Sequence, residues 1–350
     1  MPLPPLPQED LEAVFCQVGK DWERLRGKNV FLTGGSGFFG SWLLETLLFS
    51  QDRLGLGVKV WALSRDPKLF RERLPYLAGH SSVHLAGGGV EGFDFPREKM
   101  NFVIHSMVPD PGMPLPEMEA WFEAGTARLL ELAARDKCDG FLLCSTGAVY
   151  QTQGRPLREE DPLIPLDAPL SYGRIRRQVE DQCREACSAR GLPLKIARGF
   201  AFAGPRLSQN AGFALVDFLK DAAVGKNIMV KGTGEPVRSY LYASDMAVWL
   251  WKILLTEQET IEFNVGSEEG IRLVELAKRI ADFARRKVEV LGEPSSGAVQ
   301  NEVYIPAVQK VRESLDTPAI LSLDRILKKM VAATRLLSGA KLFSKAISKL

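Results

Sequence analysis

Short apolar segments alternate with longer segments in which apolar residues recur at helical spacing, from residue 28 to residue 204. The short apolar segments predict strands at residues 29–33, 58–63, 83–86, 102–105, 140–144 and 194–198. The amphipathic segments predict helices at residues 38–50, 66–77, 116–135 and 171–190. Apolar strands that alternate with amphipathic helices are typical of a parallel sheet with helices on both faces, so we predict a doubly wound α/β fold.

The pattern changes after residue 204, where loops, short strands and helices follow one another without strict alternation. We expect this part to form a smaller lid on the carboxyl edge of the sheet. A proline-rich arm and a helix over residues 10–26 precede the first strand. The predicted units are an N-terminal arm and helix at 1–27, a sheet domain at 28–204 to which 238–266 return, a lid at 205–237 and 267–330, and a basic amphipathic tail at 331–350.

The composition excludes several classes of function. A net charge of +2 over 350 residues gives no broad basic surface for nucleic acid. No apolar run reaches the roughly 18 residues of a membrane span, and the N-terminus does not resemble a signal peptide. The five cysteines form no CxxC pair and only three histidines are present, so we expect no metal site and a reducing, cytoplasmic location. The basic tail is expected to be solvated; the alternative is contact with an anionic membrane or a partner.

A glycine-rich turn, TGGSGFFG, follows the first predicted strand and leads into a helix. The first glycine permits a tight turn, the next lets backbone amides approach a pyrophosphate, and the last allows the helix to pack closely on the strand. The positive end of the helix then points at the phosphates. Strand, turn and helix in this order predict a Rossmann-type dinucleotide site rather than an ordinary glycine turn. The cofactor-binding residues predicted here are Gly34, Gly37, Phe38, Phe39 and Gly40.

The end of the second predicted strand indicates which dinucleotide binds. An acidic residue there binds the ribose 2′-hydroxyl of NAD, whereas an arginine accepts the 2′-phosphate of NADP. Ser64 and Arg65 follow this strand directly, and the first carboxylate, Asp66, comes one position later. We therefore expect NADP or NAD as the cofactor, with NADP favoured. The alternative is that Arg65 stacks on the adenine or points to solvent.

Several further motifs follow the glycine turn in a fixed order. They are FLLCSTGAVY, SYGRIRR, ARGFAFAGPR, GTGEPVRSYLYASDMA and FNVGSEEGIRLVELA. Together with the turn they resemble the extended short-chain dehydrogenase/reductases, specifically the NAD-dependent epimerase/dehydratase family that acts on nucleotide sugars. The resemblance covers roughly residues 28–330. It implies a nucleotide-sugar substrate and a homodimer that forms through the predicted helices 116–135 and 171–190.

In that family a Ser or Thr after the fifth strand and a Tyr-x-x-x-Lys helix carry the chemistry. By resemblance, Thr146 is the hydroxyl residue, Ser145 lies beside it in the cofactor site, and Tyr172 removes the proton of a sugar hydroxyl. The position of the lysine is occupied by Arg176. Arginine keeps the positive charge that favours a tyrosinate, but its planar fork has a different shape. We therefore expect Arg176 to contact the ribose and to support catalysis less efficiently than lysine.

Other positions depart from the family pattern. Family 4,6-dehydratases carry an Asp-Glu pair after the threonine, whereas this chain has Gly147 and Ala148. Without those carboxylates no acid is evident to protonate a leaving hydroxyl, which disfavours dehydration. The third strand leads to Gly-Gly-Val at 88–90 instead of Gly-Asp-Val. Met107 and Phe122 are bulkier than the residues expected at their positions, so we predict an altered cofactor entrance.

Two arginines in the second half are candidate substrate ligands. Arg238, in VRSYLY, matches the family arginine that binds the diphosphate of the nucleotide sugar, and Arg206 follows the GP pair where the lid begins. Asp245 is expected to cap the helix that follows it. The constellation predicts an NAD(P)-dependent nucleotide-sugar epimerase or reductase. The alternatives are a 4,6-dehydratase-related lyase and a dinucleotide-binding protein that has lost catalysis.

Overall fold

The computed structural model describes residues 2–208, 213–292, 302–317 and 320–339, without the side chains of 334–339. The strands of these residues are β1 (Asn29–Leu32), β2 (Lys59–Ser64), β3 (Val83–Gly87), β4 (Phe102–His105), β5 (Gly140–Thr146), β6 (Leu194–Gly199), β7 (Phe202–Ala203), β8 (Ile228–Val230), β9 (Val237–Arg238), β10 (Leu241–Tyr242), β11 (Ile261–Val265), β12 (Ile271–Arg272), β13 (Val288–Val290) and β14 (Val303–Tyr304).

The α-helices are α1 (Gln8–Val18), α2 (Phe38–Leu54), α3 (Pro67–Arg73), α4 (Pro75–Ala78), α5 (Leu115–Asp136), α6 (Tyr172–Arg190), α7 (Ala214–Ala223), α8 (Ala243–Leu255), α9 (Leu273–Ala284), α10 (Gln309–Leu315) and α11 (Leu323–Gly339). Short 3-10 helices follow α1 and β5, at Gly19–Leu25 and Gly147–Val149.

Seven parallel strands form the central sheet, in the order β11-β6-β5-β4-β1-β2-β3. All residues of β4 and β6 are buried; β4 is apolar except for His105, whereas β6 also buries the charged residues Lys195 and Arg198. The prediction of a doubly wound α/β sheet is confirmed. The strand order reverses between β1 and β4, and in such sheets ligands bind at the carboxyl ends of the strands beside that reversal.

Two apolar clusters cover the two faces of the sheet. One is formed by α1, α2 and α8, with Trp22, Trp42 and Trp249 among its fully buried side chains. The other is formed by α5 and α6 and includes Phe122 and Cys183. The strand β11, which comes late in the chain, lies at the sheet edge beside β6, and α8 packs against the same sheet.

The lid elements have a core of their own. α7, α9 and α11 pack together around an apolar cluster, and β9 pairs with both β12 and β14. The division into units at the predicted boundaries stays a prediction. α11 runs to Gly339, and the rest of the predicted basic tail lies outside the described residues.

Two predicted helices differ from the observed ones. The helix predicted over 10–26 is α-helical only to Val18, because Gly19 adopts a φ of 59° and the chain continues as a 3-10 helix. The helix predicted over 66–77 is divided at Pro75, where the chain starts a second short helix. Across the described ranges, no helix is long and apolar enough to cross a membrane, and no cluster of side chains is suited to hold a metal ion.

Candidate active site

The glycine turn joins β1 to α2 beside the point where the strand order reverses. Gly34 has a φ of 68°, and a Cβ added there would lie 2.3 Å from the carbonyl oxygen of Ser106. A Cβ on Gly40 would lie 2.2 Å from the carbonyl oxygen of Gly34, so α2 could not start this close to the turn with any other residue. Gly37 is the N-cap and offers no capping side chain. The first N–H groups of α2 are therefore available to an anion.

Phe38 and Phe39 form the first turn of α2. Their rings pack edge to face with centroids 5.7 Å apart, and the Phe39 ring makes a similar contact with Phe202, at 5.2 Å. These contacts attach the start of α2 to β7. Phe38 and Phe39 therefore offer backbone N–H groups to a ligand, while their rings hold the helix end in place.

A groove of about 410 Å³ extends from this turn across the carboxyl ends of β1, β2 and β4. Residues of its wall include Gly34, Gly37, Ser64, Arg65, Met107 and Trp121. The turn and the tip of β2, which the sequence assigns to the cofactor, thus lie along one continuous groove. Of the two bulky residues noted in the sequence, Met107 lines the groove beside Trp121, whereas Phe122 is buried.

Arg65 lies at the mouth of the groove in an ion pair with Asp110. The guanidinium donates two parallel hydrogen bonds, from Nη1 to Oδ2 at 2.5 Å and from Nη2 to Oδ1 at 2.7 Å. These hydrogen bonds lower the pKa of the Asp110 carboxyl, with a smaller contribution from the Arg65 charge. Both side chains remain more than half exposed, so the pair is open to exchange with a ligand phosphate.

Thr146 ends β5 and caps the 3-10 turn that follows, because its Oγ1 accepts a hydrogen bond from Ala148 N at 3.2 Å. α6 begins against this turn. A Cβ on Gly173 would lie 2.0 Å from the carbonyl oxygen of Ala148, so only glycine lets the helix approach so closely. Tyr172, the first residue of α6, stays 41% exposed. β5 and α6 thus bring the two predicted catalytic residues to the same edge of the sheet.

Tyr304, which the sequence analysis missed, lies beside these residues. Its hydroxyl is 3.5 Å from Thr146 Oγ1, and its ring centroid is 4.7 Å from that of Phe200. The residue is on β14, which is two residues long and lies 158 positions after Thr146 in the chain. Neither periodicity nor a motif marks it, and only the pairing of β14 with β9 brings it to the site.

Arg176 does not point to the open site. Its side chain is 2% exposed, its Nη2 donates to the carbonyl oxygen of Cys144 at 2.7 Å, and its guanidinium lies 4.5 Å from the centre of the Phe122 ring. Two residues that depart from the family pattern therefore contact each other. Burial and the nearby Arg176 charge lower the pKa of His105 to about 3, so that this histidine is neutral. Nε and Nη1 of Arg176 have no hydrogen-bond partner among the described residues.

Ser145 is also turned inward, because its hydroxyl donates to Glu180 Oε1 at 2.6 Å. Glu180 is fully buried, and the guanidinium of Arg198 binds both of its carboxylate oxygens. Arg198 in turn donates to the Tyr150 hydroxyl at 2.7 Å. The sequence placed Ser145 in the cofactor site, but its hydroxyl is committed to this network and supports the end of β5 instead.

Arg238 lies on β9, and its Nη2 is 2.6 Å from Oε1 of Glu302. Nη1 donates to the carbonyl oxygens of Val237 and Glu302, and the guanidinium lies 5.7 Å from the centre of the Tyr304 ring. Arg238, the residue predicted to bind the substrate diphosphate, therefore lies on the same side of the site as Thr146. Its charge is paired with the Glu302 carboxylate.

Arg206 and Asp245 have structural contacts. The side chain of Arg206 is 4% exposed, forms an ion pair with Glu45 and donates to the carbonyl oxygen of Pro4 at 3.0 Å. It ties the N-terminal arm to α2 and is not free to bind substrate. Asp245 is not the N-cap of α8, because that helix starts at Ala243. Its carboxylate accepts from Leu321 N at 2.9 Å, and burial raises its pKa to about 6.

These features agree with the comparisons with known proteins. The model of the NAD dependent epimerase/dehydratase family matches residues 30–266. The chain belongs to that family. The resemblance inferred from the motifs is thereby confirmed, and the glycine turn, Thr146 and Tyr172 all lie within the matched residues.

Individual relatives are distant. The UDP-glucuronic acid decarboxylase 1 of Xenopus tropicalis is 24% identical over 312 residues, which cover 87% of this chain and 71% of that protein. The structure of a UDP-glucuronic acid 4-epimerase from Bacillus cereus, in complex with UDP-glucuronic acid and NAD, gives a TM-score of 0.74 at 20% identity and covers 88% of this chain and 99% of its own. A dTDP-glucose 4,6-dehydratase from Bacillus anthracis, in complex with NAD, gives 0.71 at 18% identity, with 87% and 96% covered. At these identities the structures show a shared fold.

Proposed function

We propose that this protein is an NAD(P)-dependent enzyme that acts on a nucleotide sugar by hydride transfer at a ring hydroxyl or ketone, as an epimerase or a reductase. The observation that carries the proposal is the convergence of Thr146, Tyr172 and Arg238 around one point at the carboxyl end of β5. Thr146 and Tyr172 supply two hydroxyl groups for the sugar, and Arg238 supplies a cation for the diphosphate; a nucleotide sugar requires both.

The residues present fit a dinucleotide. The cradle around Gly34 and Gly40 would be filled by any Cβ, and the uncapped start of α2 supplies N–H groups for the pyrophosphate. A bound NAD(P) supplies the acceptor and donor of the hydride. The protein binds and orients the sugar: Thr146 Oγ1 donates a hydrogen bond to the reacting oxygen, and the Tyr172 phenolate removes its proton.

The choice among family reactions rests on the residues after Thr146. Gly147 and Ala148 supply no carboxyl group, and the ring of Phe200 occupies the space where a side chain at position 147 would lie. Positions 147 and 148 therefore place no acid beside Thr146 to protonate a leaving hydroxyl, so we place epimerisation or reduction ahead of 4,6-dehydration. Because decarboxylases and dehydratases are among the relatives, UDP-glucuronic acid and dTDP-glucose are included in the test panel.

The test is a product screen with purified protein. UDP-glucose, UDP-glucuronic acid, UDP-N-acetylglucosamine and dTDP-glucose are incubated with NAD and NADP, and products are separated by chromatography and identified by mass and NMR. We expect an epimer or a dinucleotide-dependent redox product. Detection of a 4-keto-6-deoxy sugar would instead establish the dehydratase, and absence of any product with every sugar would rule out the proposed enzyme.

A second candidate is a dinucleotide-binding protein without turnover. The observation that favours it is the inward orientation of Arg176, whose guanidinium contacts Phe122 and the carbonyl oxygen of Cys144. The Arg176→Lys variant, alone and with Phe122→Asn, separates the two candidates. Tight dinucleotide binding without hydride transfer in all forms supports the binding protein, whereas a gain of turnover in the double variant indicates a weakened enzyme.

We further propose that NADP is preferred over NAD because of Arg65, and we expect Arg65→Ala to weaken NADP binding about 10- to 100-fold while changing NAD binding little. Asp110→Asn frees the guanidinium and is expected to tighten NADP binding. Calorimetric titration of both dinucleotides measures these effects, with Arg71→Ala on the exposed side of α3 as the control. An equal loss for NAD and NADP would assign Arg65 to the adenine instead.

We expect Glu302→Gln to lower the KM for the nucleotide sugar about two- to five-fold, because the substrate diphosphate no longer competes with a carboxylate for Arg238. Arg238→Gln is expected to raise KM. Steady-state kinetics at low and high salt measure both effects, and Glu235→Gln, which removes an exposed lid carboxylate 3.6 Å from Arg272, is the control. An unchanged KM in both Arg238 and Glu302 variants would place the diphosphate elsewhere.

A homodimer and a cytoplasmic location stay proposals. α5 and α6, the helices expected to form the dimer, pack against each other on one side of the sheet. The Arg174–Glu119 ion pair, at 2.9 Å, joins them. The described cysteines are all free thiols, in agreement with a reducing environment. Light scattering at several protein concentrations tests the dimer.

A further inference from the structure

Tyr304 is the residue around which the predicted site residues meet. β14 pairs with β9 in parallel, so that Tyr304 is the direct partner of Arg238. The next residues are also fixed, because Leu157 N donates to Ile305 O at 2.8 Å and Ala307 N donates to Leu157 O at 2.7 Å. The position of the Tyr304 phenol is therefore set by backbone pairing on both sides rather than by its own hydroxyl.

Three predicted site residues interact with this one phenol. Thr146 Oγ1 lies 3.5 Å from its hydroxyl, and the Arg238 guanidinium lies 5.7 Å from its ring centre. Tyr172 is close enough for its charge to raise the pKa of Tyr304. Phe200 packs against the ring with centroids 4.7 Å apart. The ring thus has an apolar neighbour of its own, while the hydroxyl points to the predicted reaction site.

The hydroxyl of Tyr304 is suited to donate a hydrogen bond and not to act as a base. Burial raises its pKa to about 12, although the hydrogen bond with Thr146 acts in the opposite direction. The phenol therefore keeps its proton at neutral pH. Its distance of 3.5 Å from Thr146 Oγ1 is longer than the usual 2.7–2.8 Å of an O–H···O bond, so the direct contact is weak. Two hydroxyls at this separation can both bind a third oxygen.

We propose that Tyr304 contacts the substrate: its O–H donates a hydrogen bond to the same sugar oxygen that Thr146 binds and that Tyr172 deprotonates. This inference rests on the proposed function and adds a residue to its site. When the sugar is oxidised, the O–H proton goes to Tyr172, the C–H hydride goes to the dinucleotide, and the carbonyl forms. Tyr304 keeps its proton throughout and stabilises the negative charge that develops on the oxygen.

The proposal gives the two tyrosines different tasks. Tyr172 is exposed and exchanges its proton, whereas Tyr304 is partly buried and holds its proton. The Tyr304 hydroxyl stabilises negative charge on the reacting sugar oxygen. This offsets part of what is lost without a lysine at position 176, which would favour the phenolate of Tyr172. It also makes the site selective, because a sugar without that hydroxyl leaves both Thr146 and Tyr304 without their partner.

The test compares Tyr304→Phe with Tyr240→Phe. Tyr240 is a buried tyrosine of the lid core, and both variants lose one phenol hydroxyl and keep the ring. With a sugar from the product screen, we expect Tyr304→Phe to lower kcat roughly 10- to 100-fold. We expect dinucleotide affinity and the melting temperature to match wild type. Tyr240→Phe is expected to leave kcat unchanged.

A double-mutant cycle gives a second readout that a purely structural role would not produce. If Thr146 and Tyr304 bind the same oxygen, Thr146→Val and Tyr304→Phe together should cost less than the product of the separate effects. The matching deoxy-sugar nucleotide provides a binding test: wild type should bind it more weakly than the parent sugar, and Tyr304→Phe should discriminate less.

Two results would overturn the proposal. In the first, wild type converts a sugar and Tyr304→Phe has the same kcat as Tyr240→Phe, which leaves the proposed function intact. In the second, the effects of Thr146→Val and Tyr304→Phe multiply and discrimination against the deoxy sugar is unchanged. If no nucleotide sugar binds to wild type in calorimetry, the proposed function fails and the role of Tyr304 fails with it.

Discussion

Replacement of Tyr172 by phenylalanine is expected to lower kcat about 10²- to 10⁴-fold, the usual contribution of a positioned acid–base group. The hydroxyl is the only group of Tyr172 that the change removes. Dinucleotide affinity should not change, because the groove is built from the glycine turn, the tip of β2 and the end of β4. Stability should not change either, because the side chain is 41% exposed at the first position of α6.

The measurement is single-turnover reduction of the dinucleotide, followed by absorbance, with the sugar found in the product screen. This assay reports hydride transfer without product release. Tyr76→Phe is a suitable control. Tyr76 lies on α4, and its hydroxyl donates to Glu45 and to the carbonyl oxygen of Pro4 in the N-terminal arm, not to a residue of the candidate active site. A Tyr172→Phe enzyme with wild-type single-turnover rates would mean that another group removes the proton, and the assignment by family position would be wrong.

The fold was largely predictable from the sequence because its information is local. β2 and β4 contain short buried apolar runs, VWAL and FVI, and the glycine turn follows β1 directly. Helix boundaries were less predictable. Gly19 and Pro75 interrupt helices whose apolar periodicity continues past them, since periodicity reports burial and not backbone conformation.

The placement of candidate site residues was predictable only where the position of a residue in a motif also determines the direction of its side chain. Thr146 and Tyr172 lie at the ends of elements that start or stop there, so their place follows from the strand and helix. Arg176 and Arg206 carry side chains long enough to choose between partners, and both turned to partners inside the protein. Position in a motif therefore predicted where these residues lie but not the direction of their side chains.

Residues brought in by long-range pairing were not predictable at all. Tyr304 and Glu302 reach the site because β14 pairs with β9, and these strands are two residues long. A two-residue strand has no measurable periodicity. Asp110 is similar, because it reaches Arg65 from the loop after β4, 45 positions later in the chain.

Glu180→Gln is expected to lower the free energy of unfolding by about 3–5 kcal/mol, because it leaves the buried guanidinium of Arg198 without a counter-charge. Glu180 is fully buried, and Arg198 is 2% exposed. Their pairing, at 2.8 Å, is completed by Ser145 and Arg184. The matched control is Glu131→Gln, which breaks the more exposed pair with Arg128 and should cost no more than about 1 kcal/mol.

The acid dependence of this difference follows from the Glu180 carboxyl. Burial by itself would raise its pKa, but the hydrogen bonds and charge of Arg198 outweigh burial and hold the pKa below the usual 4.5. The contribution of Glu180 is therefore complete above the unfolded-state pKa and is lost as pH falls through the lower folded-state pKa. In urea denaturation, the gap between wild type and Glu180→Gln should be constant from about pH 6 to 8 and should narrow in acid.

Glu180→Gln should also affect the active site, because Glu180 accepts a hydrogen bond from the hydroxyl of Ser145, the residue that precedes Thr146 on β5. At temperatures where Glu180→Gln is still folded, we expect kcat to fall more than dinucleotide affinity, since the glycine turn lies between β1 and α2 and is not part of this network. Equal stability in Glu180→Gln and Glu131→Gln would show that Tyr150 and the backbone carbonyl of Glu159 suffice for Arg198. The network would then be dispensable for the end of β5, and the placement of Thr146 would depend on β5 and its 3-10 turn alone.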